Sequence, residues 1–158
     1  MKAIAHTPIA NAPADGQSKT ANIQMATHID RQYGAQGLRG LAVSPGTFVS
    51  PNLQKHCAEE MAYAKADVRA SAYMASPEQA CSTSVYAALS PEPLRHAAER
   101  GGAHGTGFGA GLYLEGTSVA GPVPPEGDGL EYGYGPGAFD KASEEKLWEV
   151  SKKLVGVE

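Results

Sequence analysis

Residues 15–46 read DGQSKTANIQMATHIDRQYGAQGLRGLAVSPG, and the order of helix, turn, apolar run and Pro-Gly exit within that stretch decides the fold. Ile23, Ala26, Ile29 and Tyr33 fall at helical spacing, Asn22 and Met25 widen the stripe, and Asp30, Arg31 and Gln32 take the wet side. Tyr33-Gly34 stops the helix. Leu38, Leu41, Ala42 and Val43 then form a short apolar run ended by Pro45-Gly46, which predicts a strand over 38–44 buried on both faces. Helix, tight turn and buried strand make half of an α/β crossover.

Outward from that stretch, residues 52–63 have Leu53, Cys57 and Met61 at helical spacing. His56 and Glu60 share one face there, but a metal needs a third ligand that the motif does not supply. Ser76-Pro77-Glu78-Gln79 is a capping box with proline at the first helical position, so a helix should run to about Leu89 with Cys81, Val85, Ala88 and Leu89 inward. A short helix over 92–100 precedes the glycine-rich stretch GGAHGTGFGAG, which leads into a strand and so reads as a connector, not a phosphate loop. The second clear strand is predicted at 111–115. Tyr132 and Tyr134 should pack down a surface run over 119–137. Asp140 or Ser143 should cap a last helix with Leu147, Val150, Ser151 and Leu154 inward beside Trp148, and Gly156 should close it.

The chain has 158 residues and a formal charge of −4, enough for one domain and the wrong sign for a nucleic-acid partner. No apolar run approaches the roughly 18 residues that span a bilayer, and the apolar start before His6 and Pro8 is too short for a signal peptide. The expectation is a cytoplasmic protein without a membrane partner. Its two cysteines, Cys57 and Cys81, lack metal-site or redox-motif spacing and read as reduced thiols. Thirteen of the 19 glycines and four of the 11 prolines fall between 101 and 137, so that stretch is expected to be loop-rich.

The helix segment GQSKTAN followed by YGAQGLRGLAVSPG resembles the middle of a short-chain dehydrogenase/reductase, close to the retinol-dehydrogenase-like branch. SPEQACSTSVYAALSPE, GAGLYLEGTSVAGPVPP and YGYGPGAFDKASEEKLWEVSKKL resemble successive later pieces of the same family, so the likeness covers nearly all of 15–155. The resemblance implies an α/β, truncated Rossmann-like remnant: a single domain over 1–158, two or three parallel strands (the third near 2–7) and about four helices. Within it, 47–75 would be the substrate-cover segment. So small a sheet leaves edges and helix faces uncovered, which predicts completion by a homodimer built on the helix over 17–33.

Two departures from the family pattern shape the functional expectation. The family's Tyr-x-x-x-Lys pair would put a tyrosine four residues before Lys19, where this chain has Asp15. The glycine-rich turn that holds a dinucleotide belongs to an upstream half that this sequence does not contain, so no cofactor is expected. Asp15 can be a plain N-cap and Lys19 a plain solvated lysine, or the two can act together. In the active reading Asp15 is a base, ionised beside Lys19 and the helix N-terminus. Lys19 or His6 would then stabilise an oxyanion, with Thr7 near the place of the family's carbonyl-orienting serine. Pro45, Gly46, Thr47 and Phe48 would line the substrate site, and no residue is assigned to a metal or cofactor. Three classes compete: a cofactor-independent isomerase, dehydratase or cyclase acting on a small hydrophobic, polyketide- or terpenoid-like substrate; a non-catalytic binding or partner protein; and a fragment of an NAD(P)-dependent oxidoreductase.

Overall fold

The computed structural model describes residues 12–48, 62, 65–99, 111–126 and 132–157. Helix α1 spans Ala12–Tyr33, opening earlier than the sequence pattern suggests and stopping where it predicts. A 3-10 turn over Gly34–Gln36 follows, and Gly37 takes φ 93°, a left-handed position that glycine adopts without strain. The buried side of α1 is polar: Gln24, Thr27 and Asp30 lie inside, while the predicted stripe of Ile23, Met25, Ala26, Ile29 and Tyr33 is half-buried.

Close backbone packing explains that inversion. Gly40 crosses α1 so tightly that a Cβ there would sit 2.0 Å from the Ala26 carbonyl oxygen, and a layer of large apolar side chains would not fit between them. The polar groups are satisfied instead. Thr27 donates to the Ile23 carbonyl at 3.0 Å, Gln24 donates to the Gly137 carbonyl at 3.1 Å, and Asp30 pairs with Arg39 while accepting from the Gly40 amide at 3.3 Å.

Strand β1 (Ala42–Val43) pairs in parallel with β4 (Tyr113–Glu115), matching Ala42 to Tyr113 and Val43 to Leu114. The order β1-β4-β5 is completed by an antiparallel strand, β5 (Ser118–Val119), that the sequence pattern does not predict. Strand β2 (Thr47–Phe48) pairs in parallel with β3 (Met74–Ala75) as a separate two-stranded ribbon. The predicted strand over 38–44 is thus shorter than expected, with Leu38 outside it and mostly exposed. A third strand near 2–7 falls outside the described residues.

Helices α2 (Val68–Ala72), α3 (Pro77–Leu89), α4 (Glu92–Glu99) and α5 (Lys141–Val155) complete an α/β architecture. The core is built from Leu112 and Leu114 with Ala42, Ala80, Ala97 and Ala138. Its small side chains again mark close packing. On α3 the inward residues are Ala80 and Thr83; the expected stripe of Cys81, Val85, Ala88 and Leu89 faces out, Leu89 being 79% exposed. On α5 the buried residue is Glu144, Leu147 and Ser151 are half-buried, and Leu154 is 82% exposed, so only part of that predicted face is inside. Helix α5 packs along α1, where Trp148 stacks on His28 with ring centroids 4.5 Å apart.

Candidate substrate cavity

The end of β1 brings Pro45 and Gly46 to the rim of a cavity of about 270 Å³. Facing walls come from Ala72, Tyr73, Met74 and Ala75 at the end of α2 and in β3, and from Gln79, Ser82 and Thr83 on α3. The β4–β5 turn adds Gly116 and Thr117, and Tyr132 completes the described lining. Among the described residues no Asp, Glu, Lys, Arg or His lines it. Its chemistry is that of hydroxyls, one carboxamide, a thioether and two phenol rings, Tyr73 and Tyr132, whose centroids lie 6.1 Å apart. Such a wall suits a neutral guest with apolar area and an oxygen or two.

The cavity walls are held by their own polar groups. Ser76 caps α3: its side chain accepts from the Gln79 amide at 3.2 Å, and Gln79 Oε1 accepts from the Ser76 amide at 2.8 Å. Ser82 donates to the Gln79 carbonyl at 2.7 Å. Thr83 is buried and accepts from the Thr117 amide at 3.1 Å. Thr117 has φ 58°, left-handed and costly for a β-branched residue. With Gly116 at φ 57° it forms a two-residue hairpin turn of the primed kind, which matches strand twist.

Behind this lining stands Glu115. It accepts from the Ser44 hydroxyl at 2.8 Å and from the Gly133 amide at 2.7 Å. Burial, opposed by a Ser44 hydrogen bond, pushes the neighbouring Tyr113 phenol above its ordinary pKa of 10.0. The sequence reading singles out neither Glu115 nor Gly40; an acidic residue closing a strand and a glycine four residues before Ser44 are the signals it offers.

The residues expected at the site divide. Pro45 and Gly46 stand on the cavity rim, and Thr47 and Phe48 form β2, paired with the Met74–Ala75 wall. Asp15 is the fourth residue of α1, not its N-cap, because the helix already opens at Ala12. Lys19 lies on the exposed side of α1. The described cavity lining contains no residue of α1, so Asp15 and Lys19 are not brought to it there. His6, Thr7, Cys57, His56 and Glu60 lie outside the described residues, as do residues 101–110 of the glycine-rich connector. Cys81 is a free, exposed thiol. No cluster of three metal-ligating side chains occurs among the described residues, and no described helix is long and apolar enough to cross a membrane.

A curated protein from Penicillium roqueforti, short-chain dehydrogenase/reductase prx1, is 37% identical over 145 residues, covering 91% of this chain and 38% of the relative. The protein of the same name from Penicillium rubens is 37% identical over 143 residues, covering 90% and 38%. The chain is similar to part of a short-chain dehydrogenase/reductase. Oxidoreductase calI of Penicillium decumbens is also similar, 27% identical over 150 residues and covering 92% of this chain and 40% of its own length. The chain therefore spans about two fifths of the curated relatives it matches. No family model and no solved structure matches.

The family resemblance implies a nicotinamide dinucleotide, whose phosphates would be held by the glycine-rich turn of the family's upstream half. The helix N-terminus nearest the cavity, that of α3, has its amides engaged by Ser76. It also carries Glu78, whose carboxylate accepts from the Ser76 hydroxyl at 2.8 Å and is held below its ordinary pKa first by its backbone hydrogen bond and then by Ser76.

Proposed function

We propose that the chain belongs to a small-molecule enzyme derived from a short-chain dehydrogenase, converting a compact, neutral, hydrophobic substrate of polyketide or terpenoid type by proton transfer and without a nicotinamide. The observation that carries this is the cavity at Pro45–Gly46, whose described lining is uncharged, with phenol, thioether and hydroxyl walls. The base this reading assigns is Asp15, which stands where the family motif would have a tyrosine four residues before Lys19 but lies on α1, outside the described cavity lining. A carboxylate there acts as a base, which suits isomerisation, dehydration or cyclisation better than hydride transfer. In this reading Lys19, His6 and Thr7 assist Asp15 by stabilising developing oxyanion charge. Asp15→Asn with unchanged turnover of a cyclic enone or hydroxyketone substrate would remove Asp15 from the mechanism.

A second reading, a piece of an NAD(P)-dependent oxidoreductase, is favoured by the coverage of only two fifths of relatives named for that chemistry. Calorimetric titration with NADH and NADPH tests the first reading, which expects no useful affinity. A dissociation constant below about 100 µM, roughly −5.5 kcal/mol, favours the oxidoreductase. A homodimer through the half-buried Ile23 and Ile29 face of α1 belongs to the first reading; light scattering that gives a stable monomer counts against it.

A further inference from the structure

Three separate segments meet around the cavity of the proposed substrate site; the carboxylate of Glu115 hydrogen-bonds two of them, and its backbone leads directly into the third. The Pro45–Gly46 rim is anchored through Ser44: its hydroxyl donates to Glu115 Oε1 at 2.8 Å and accepts from the Gly46 amide at 3.2 Å. The segment carrying Tyr132 is anchored one residue later, where the Gly133 amide donates to Glu115 Oε2 at 2.7 Å. The Gly116–Thr117 turn follows Glu115 directly in the chain.

We infer that Glu115 is the positioning residue of this cavity: by dividing its two oxygens between Ser44 and Gly133 it sets the distance between the Pro45–Gly46 rim and the Tyr132 wall, and with it the size of guest admitted. The inference rests on reading the cavity as the substrate site.

Gly133 shows how closely that setting is defined. It takes φ 137°, and a Cβ on it would lie 2.6 Å from the Gly121 carbonyl oxygen, so the segment passes where only a glycine fits. A backbone so placed has one N–H to give, and Glu115 takes it. Ser44 is fixed from its other side by the sheet, its amide donating to the Leu114 carbonyl at 2.8 Å. The carboxylate thus transmits the position of the β1–β4 ladder to two segments rich in turn residues, one with Pro-Gly and one with glycine at 133, 135 and 137. Shortening the side chain by one methylene breaks one of the two bonds, since both oxygens are already used. A carboxamide keeps both, accepting from Gly133 through Oε1 and donating to Ser44 through Nε2.

The test compares the unmodified chain with Glu115→Ala, Glu115→Asp and Glu115→Gln by amide hydrogen exchange and by titration with camphor as a compact neutral probe. In Glu115→Ala and Glu115→Asp, exchange at Gly46 and Gly133 should accelerate about tenfold while the ladder amides of Ala42 and Ser44 hold. Camphor affinity should fall about fivefold or more in both. Glu115→Gln should restore both readouts to within about threefold. Unchanged exchange at Gly46 and Gly133 overturns the inference. So does acceleration that extends equally to Ala42 and Ser44, which would make Glu115 a support of the fold alone. If camphor fails to bind the unmodified chain, the substrate-site reading falls, while the exchange pattern still decides whether Glu115 positions the two segments.

Discussion

The carboxylate of Glu144 on α5 has no solvent exposure and receives the Arg31 guanidinium from α1. His28, also on α1, brings Nδ1 to 3.3 Å of the same oxygen without forming a hydrogen bond, and Oε2 is buried with no partner among the described residues. Two helices are therefore joined by a charge pair that is half-satisfied, an arrangement in which desolvation competes with attraction.

Burial pushes the Glu144 carboxyl above its ordinary 4.5, outweighing the opposing pull of Arg31 and then His28. Between that ordinary value and the raised native one, the folded chain holds more protons than the unfolded chain, so unfolding free energy falls as pH rises through the window and then levels. Glu144→Gln stays neutral throughout. Its melting temperature relative to the unmodified chain should therefore climb from about pH 4.5 upward, a trend measurable by thermal melts at matched ionic strength. A flat difference would contradict it.

Arg31→Ala leaves that carboxylate without its cation. The guanidinium is 25% exposed, so the expected cost at pH 7 is about 2 kcal/mol, below the range for fully buried pairs. Urea unfolding should show a shifted midpoint with an unchanged slope.

Gly40→Ala should be among the costliest single-methyl changes in the molecule, because the added carbon meets the backbone at Ala26 and not a side chain that can rotate away. Separating the turn from α1 would also stretch the Asp30 bonds to Arg39 and Gly40. About 3 kcal/mol or more is expected. Melting temperature and hydrogen exchange along 26–40 would measure it.

What the sequence made legible was local chemistry. The capping box at Ser76 appears as read, with both reciprocal bonds formed; the Asp140 cap, the tight turn after Tyr33-Gly34 and the left-handed Gly156 stop are likewise present. Helix faces were less legible, because ranking residues by size assumes that the largest apolar groups go inward. Here Ala80 and Thr83 are buried and Val85 and Leu89 are not, since α3 packs close to short strands. The β4–β5 hairpin was hidden for a related reason: its turn uses Gly116-Thr117 rather than a familiar Asn-Gly pair. Ser76→Ala should cost about 1 kcal/mol and leave the remaining structure intact, as circular dichroism and melting would show.

Thr83 and Thr117 carry the last prediction, since the left-handed Thr117 is held by a hydrogen bond to the cavity wall. Its amide donates to buried Thr83 Oγ1, and its own hydroxyl donates to the Gly116 carbonyl at 2.6 Å. A β-branched residue at φ 58° stores strain of about 1 kcal/mol or more, and the Thr83 acceptor helps to offset it. Thr83→Val keeps the volume but removes the acceptor, leaving the Thr117 amide unpaired. A loss of about 1–3 kcal/mol is expected, together with faster exchange at Thr117. Thr117→Gly relieves the strained φ and should change stability by less than about 1 kcal/mol. When both substitutions are combined, the unbranched backbone of the turn can relax away from the missing acceptor, so the cost of Thr83→Val should shrink. A double-mutant cycle by denaturant unfolding measures that coupling, and strictly additive effects would show that the Thr83 bond and the strained turn are independent.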